Sequence, residues 1–336
     1  MTRLYIAILA AMLLWGLRAE AQDPVFSQFY ASPLQLNPAF TGTTAAPRVA
    51  LNYRNQWPNL AGFQTYVTYA ASYEQLVPEL NSGFGLLLMS DNQAEGTIRS
   101  TQAKAVYSYM VRTRSDWSFR FGVNAGLGQA AYDWDRFVFL DQIDPINGPV
   151  NPSAEIRPDI SSLTYFDAGA GILAYSSKFY AGLNVQHLNR PDVALLGFNS
   201  QLYEGLPMFV SLHSGFQITL KEGNNRQPEA FISPNLLYIQ QGDFGQVNGG
   251  AYLGLGNFFG GLWYRHAFTN PDAVIVLLGV QKGVFKFGYS YDITVSSLDQ
   301  TGGAHEISMI LNFENSETFK NRRRASQYND CFQFFR

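Results

Sequence analysis

Apolar and polar residues alternate one by one along most of the chain. From Ser118 one parity reads Phe119, Phe121, Val123, Ala125 and Leu127, and the other reads Ser118, Arg120, Gly122, Asn124 and Gly126. The stretch from Phe63 separates Val67, Tyr69, Ala71 and Tyr73 from Gln64, Thr68, Ser72 and Glu74. From Phe285, an aromatic row of Phe285, Phe287, Tyr289 and Tyr291 faces away from Lys286, Gly288, Ser290 and Asp292. A period of two is the mark of a strand with one apolar face, because successive side chains of a strand point to opposite sides.

About fourteen such stretches are present, beginning near residues 47, 63, 81, 97, 116, 164, 178, 207, 228, 243, 257, 272, 283 and 303. Several run to the roughly 9–11 residues a tilted strand needs to cross a bilayer. An even number of long strands suits a closed antiparallel barrel whose apolar parity meets lipid and whose small polar parity lines the interior. The expectation is an all-β, transmembrane antiparallel outer-membrane β-barrel over residues 47–313. Trp57, Tyr73, Tyr109 and Tyr175, near strand ends, are expected in the interfacial girdles where aromatic rings meet headgroups. Long irregular segments, Tyr132 to Leu163 and Asn189 to Leu206, fall on one side, and short turns at Thr113 to Ser115, Ser176 and Ser177, Asn257 and Lys282-Gly283 fall on the other. The long side is then extracellular, although Gln241 to Asp243 is a short connection there.

Residues 1–21 form a different kind of segment: Arg3, an apolar run from Leu4 to Leu17, and Ala19-Glu20-Ala21 ahead of Gln22. These are the parts of a secretory signal peptide cleaved before Gln22. Beyond it the purest apolar run is Ala273 to Val280, far short of a spanning helix of about 20 residues. Residues 22–46 carry Pro and Asn with no alternation and are read as a periplasmic segment or an inserted plug. Residues 314–336 are read as a periplasmic tail, with Arg322-Arg323-Arg324 and an aromatic end.

Composition agrees with a membrane setting, with 46% hydrophobic and only 15% charged residues, where soluble domains carry about 25% charged. A net charge of -3 gives no footing for binding a phosphate backbone, so no nucleic-acid partner is expected. Cys331 is the only cysteine, which excludes an internal disulfide.

Motifs with chemical meaning are scarce. Gly126-Leu127-Gly128-Gln129-Ala130-Ala131 matches a dinucleotide fingerprint in letters only, because no helix pattern follows to aim its N-terminus at a phosphate; these glycines are expected to be small lumen-facing positions. Asp133, Asp135, Asp141 and Asp144 lack the spacing of a calcium loop. Of the imidazoles His187, His213, His266 and His305, none lies in a nucleophile frame, with His213 beside a neighbouring strand's serine the best remaining candidate for a hydrolase. No catalytic residue, cofactor or metal is expected.

The start Gln22-Asp23-Pro24-Val25-Phe26-Ser27-Gln28-Phe29-Tyr30, followed by Leu36-Asn37-Pro38-Ala39-Phe40-Thr41-Gly42, closely resembles the opening of PorP/SprF family proteins of the type IX secretion system. Tyr53-Arg54-Asn55-Gln56-Trp57, Gly288-Tyr289-Ser290-Tyr291-Asp292 and His305-Glu306-Ile307-Ser308 extend the resemblance to about Phe313. It implies an outer-membrane barrel of a Bacteroidota-type bacterium that supports export or surface attachment of large secreted proteins or gliding adhesins. Implied partners are periplasmic-ring and peptidoglycan-linked secretion components, or a large adhesin with a C-terminal sorting domain. The tail after Phe313 departs from family members that end near the last strand. Among the motif residues, Asn37, Pro38, Ala39, Gly42, His305 and Glu306 are expected to be structural, Asn37-Pro38-Ala39 as a turn. Recognition of a partner is expected in the long outer loop at Asp141, Gln142, Ile143 and Asp144, since loops on a rigid scaffold are where recognition sits. The alternative reading is a passive porin or solute channel.

Overall fold

The computed structural model describes residues 22–58, 66–114, 116–194, 205–222, 230–268, 270–296 and 301–316. Residues 1–21, expected above to be a signal peptide, and Cys331 with most of the tail, lie outside the described residues. The chain forms a closed barrel of fourteen antiparallel strands. They are β1 (Arg48–Gln56), β2 (Tyr66–Val77), β3 (Ser82–Gln93), β4 (Ile98–Arg112), β5 (Ser118–Tyr132), β6 (Ser162–Tyr175), β7 (Phe179–Gln186) and β8 (Phe209–Phe216, continued past Gln217 by Ile218–Lys221). The remaining six are β9 (Ala230–Gln241), β10 (Phe244–Leu255), β11 (Phe258–Ala267), β12 (Asn270–Lys282), β13 (Phe285–Thr294) and β14 (Ala304–Asn312).

Each strand pairs with its sequence neighbours, and the first and last close the ring, from Arg48 opposite Asn312 to Gln56 opposite Ala304. Closure matters energetically because hydrocarbon offers no partner to an unpaired backbone group, and a closed barrel leaves no edge. Both ends of the strand array fall on the side of the short turns, which include Ser176–Lys178, Gly256–Asn257 and Gly283–Val284. The opposite side carries the long connections 133–161 and 187–208. In outer-membrane barrels the short turns are periplasmic and the long loops extracellular, which orients the molecule.

The parity of the strands sorts as the alternation requires. Phe119, Phe121, Val123 and Leu127 are exposed on the lipid side of β5, while Arg120 and Asn124 of the same strand are buried inside. Tyr73 and Tyr109 are on the lipid side, but Tyr175 is a correction: it is 2% exposed and hydrogen-bonds inward, to the Met110 sulfur. It shares the inward parity of Leu173, so its place near a strand end does not put it in a girdle.

The interior is also not uniformly polar. Leu237 and Ile239 of β9, Tyr252 of β10, Phe259 and Trp263 of β11, and Ile275 and Leu277 of β12 form an apolar inner wall. This explains the Ala273 to Val280 run: β12 is apolar on both faces because it meets lipid outside and packed side chains inside. Those side chains come from the segment before β1.

Candidate functional site

Residues 22–46 enter the lumen and pack against its wall. The segment is a series of single turns, Phe29–Ala31, Pro33–Leu36 and Pro38–Phe40. Pro33 and Pro38 start their turns, where the missing N–H has no partner to lose. Asn37 caps the last turn by accepting the Ala39 amide on Oδ1 at 2.8 Å. Phe29, Tyr30, Leu36, Ala39 and Phe40 pack into the apolar wall, with the Phe29 and Trp263 rings edge to face at 4.8 Å and Tyr30 against Tyr252 at 5.6 Å.

Polar contacts fix the register of this segment. Glu306 receives the Ser27 amide on one carboxylate oxygen and the Gln28 amide on the other, both at 2.8 Å. The Gln28 side chain donates to the Glu306 carbonyl and to Ser290, and accepts from Ser308 and Tyr30. Ser27 donates to Asp292 at 2.6 Å. Arg54 bridges Ser27, Asp292 and Glu306, and Arg265 joins Asp292 to Asp272. Two guanidiniums and three carboxylates thus interlock around two residues of the segment. Charges at membrane depth persist when paired inside a protein, and charge-assisted hydrogen bonds are the strong ones.

Further along, the Asn37 amide nitrogen donates to the Ile172 and Leu183 carbonyls at 3.0 and 3.2 Å and lies 3.1 Å from Nε2 of His213. An amide nitrogen only donates, so His213 accepts through Nε2. Its ring also stacks on Phe40, 5.2 Å between centroids, and these contacts make it part of the seat for the segment. Gly122 is required by the approach of the Pro38–Phe40 turn, because a Cβ there would lie 2.2 Å from the Ala39 nitrogen.

Arg120 grips the segment's exit, donating to the Thr41 and Gly42 carbonyls at 2.8 and 2.6 Å. The Gly42 amide donates to Glu74 at 2.7 Å, and Glu74 pairs with Arg48. Gly42 sits at φ +70, a region glycine enters without a Cβ penalty.

At the other end, Asp23 accepts from His187 Nε2 at 2.6 Å, while His187 Nδ1 meets Asp167 at 2.9 Å and Lys104 pairs with Asp167. His187 follows the last residue of β7, at the outer mouth. Burial pushes its imidazole pKa down, but Asp23 and Asp167 outweigh burial and hold it up at about 9.

The structure therefore brings Asn37, Pro38, Ala39, Gly42 and Glu306 into one luminal seat. His305 faces the other way, 2.9 Å from the Tyr289 hydroxyl. Arg54, Arg120, Arg265, Asp292, Lys104, Asp167 and His187 complete the seat; Arg54 and Asp292 stand in the motifs quoted above, Arg120 on the polar parity and His187 among the imidazoles, but none of the seven was expected in this role. A charge on the polar parity of a spanning strand demands a partner, and that was their available signal.

Asp141, Gln142, Ile143 and Asp144 lie together in the outer loop 133–161. Asp141 accepts from Ser153 and the Ala154 amide, and Asp144 accepts the Ile146 and Asn147 amides at 2.9 and 2.8 Å. Those backbone bonds, Asn147 first, lower the Asp144 pKa. A short ladder pairs Ile143 with Pro149 and Asp144 with Gly148. Around this frame Leu140 and Ile146 are 90% and 91% exposed, and Val138, Val150 and Ile156 are exposed with them. Asp133, Asp135, Asp141 and Asp144 do not converge: Asp133 pairs with Arg136 and Asp135 with Arg157. Among the described residues no group of three or more His, Cys, Asp or Glu is arranged to hold a metal ion.

A family model described as type IX secretion system membrane protein PorP/SprF matches residues 18–311. No curated protein sequence matches the chain. Among solved structures, the chain is similar to a deletion mutant of the monoaromatic hydrocarbon channel TodX, with 10% identity, a TM-score of 0.44 and coverage of 86% of this chain and 95% of that one. It is also similar to a mutant porin of Rhodopseudomonas blastica, with 8% identity, a TM-score of 0.33 and coverage of 79% and 98%.

Proposed function

The chain belongs to the PorP/SprF family of type IX secretion system membrane proteins, an outer-membrane barrel of that system, and from that premise we propose that it is a non-enzymatic component supporting export or surface attachment of large secreted proteins or gliding adhesins. The observation that carries this reading is the filled lumen. A barrel whose interior is packed by its own residues 22–46 is suited to present surfaces and poorly suited to pass solutes, which speaks against the passive porin.

In this reading the outer loop with Asp141, Gln142, Ile143 and Asp144 meets the cargo, because exposed aliphatic side chains on a hydrogen-bonded frame favour protein contact. The cargo is a large adhesin with a C-terminal sorting domain. The periplasmic face, including residues 314–336, meets periplasmic-ring or peptidoglycan-linked components. Catalysis has no place in it: His213 is engaged by Asn37 and Phe40.

The test is quantitative comparison of secreted, surface and periplasmic proteins in a deletion strain and its parent, with the outer membrane verified intact. Retention of many cargo proteins in the periplasm assigns a general export role, and loss of one large surface protein assigns a dedicated one. An unchanged distribution overturns the proposal.

A further inference from the structure

The path of residues 22–46 has a direction. Its C-terminal end joins β1 at Arg48, on the periplasmic rim, where the Gly42 amide meets Glu74 and Arg120 holds the Thr41 and Gly42 carbonyls. Its N-terminal end is at the opposite mouth. The Asp23 amide donates to Gln241, the last residue of β9, at 2.8 Å, and the Asp23 carboxylate meets His187, one residue past the end of β7. Both strands run outward, so both contacts are at the extracellular end. Burial changes in the same sense, from fully buried Gln28 and Ala31 to partly buried Asp23, Pro24 and Val25 and exposed Gln22.

We infer that the segment is threaded outward through the barrel, so that Gln22 faces the extracellular side while Gly42 faces the periplasm. This holds whether the molecule serves export, attachment or transport, and its test does not depend on which.

A cysteine inserted between Gln22 and Asp23 in a Cys331→Ser chain is exposed to a membrane-impermeant maleimide on intact cells. Ile146→Cys, in the outer loop, is the accessible reference, and Ser177→Cys, in a periplasmic turn, is the protected one. The inference expects the inserted cysteine to react with Ile146→Cys, while Ser177→Cys reacts only after permeabilisation. Reaction only after permeabilisation, or none in a chain that migrates as a folded barrel, overturns outward threading.

Discussion

Glu306 and Gln28 are 278 positions apart in sequence and 2.8 Å apart in space, carboxylate to backbone amide. The bond ties the last strand of the barrel to the segment ahead of the first. It makes one unit of wall and filling, and it predicts what removal of the carboxylate does. Glu306→Ala leaves the Ser27 and Gln28 amides without their acceptor and takes one carboxylate from Arg54. Breaking a buried pair on one side costs about 3–5 kcal/mol. The expected outcome is a barrel that still forms but unfolds at lower temperature by heat-dependent gel migration, with protease cuts within residues 22–46. Glu306→Gln, which keeps an acceptor, should fall between the two.

A second prediction concerns Gly122. Its Cβ would collide with backbone, and backbone of a capped turn cannot swing aside as a long side chain does. Overpacking costs about 1–3 kcal/mol and sometimes more. Gly122→Ala should therefore release the Pro38–Phe40 turn while leaving the lipid-facing parity of β5 untouched. Protease sensitivity confined to the segment, with normal barrel migration, is the expected signature; an equally resistant chain would show that the turn has room to shift.

The alternation made the barrel legible, and its reason is physical. Lipid imposes an apolar side chain at every second position of β5 and β13, so Phe119 to Leu127 and Phe285 to Tyr291 could be read directly. The filling segment has no such signature. Gln28, Asn37 and the Thr41 carbonyl are met by residues of distant strands, and nothing periodic announces a partner that remote. The apolar inner wall was hidden for the same reason, since Tyr252 and Trp263 are inside only because Phe29 and Tyr30 are there to meet them. The inward charges were visible as letters, but their pairing, such as Arg265 with Asp292, is set by closure of the barrel.

If the segment fills the lumen, its removal should open it. A chain lacking residues 24–42 keeps all fourteen strands but loses Phe29, Tyr30, Leu36 and Phe40 from the apolar wall. In a planar bilayer the intact protein is expected to show no steady conductance and the shortened one a persistent open level. Equal conductance of both would return the porin reading to first place.

The contact at the outer mouth should respond to alkali. His187 is held at about 9 by Asp23 and Asp167, above its ordinary 6.5. A group whose pKa is raised on folding contributes fully below the unfolded value and loses its contribution as pH rises through the folded one. The shift corresponds to roughly 3 kcal/mol at most, present below pH 6.5 and fading up to and beyond pH 9. Reactivity of a cysteine inserted after Gln22, in the Cys331→Ser chain, taken as a ratio to that of the exposed Ile146→Cys reference so that the thiol's own ionisation cancels, should therefore increase between pH 7 and pH 10 in purified barrels. His187→Gln should abolish that pH dependence, and its persistence would place the titrating group elsewhere.

The outer loop can be tested without disturbing the seat. Leu140 and Ile146 contribute little to the barrel, being almost wholly exposed, so replacing each with aspartate adds charge without emptying a core. The Asp144 turn and the Asp141 contacts with Ser153 and Ala154 remain to hold the frame. Exposed aliphatic side chains of a partner-binding surface gain stability when covered, and full burial of one is worth about 1.5–3 kcal/mol. Leu140→Asp with Ile146→Asp should leave folding and the luminal segment intact while lowering cross-linking to a surface protein by an order of magnitude or more, about what loss of one such contact predicts. Asp144→Ala, which removes the acceptor for the Ile146 and Asn147 amides, should reduce recovery less, by loosening the frame. If the double variant recovers its partner as the parent does, the aliphatic side chains are not the contact and recognition moves to another outer connection.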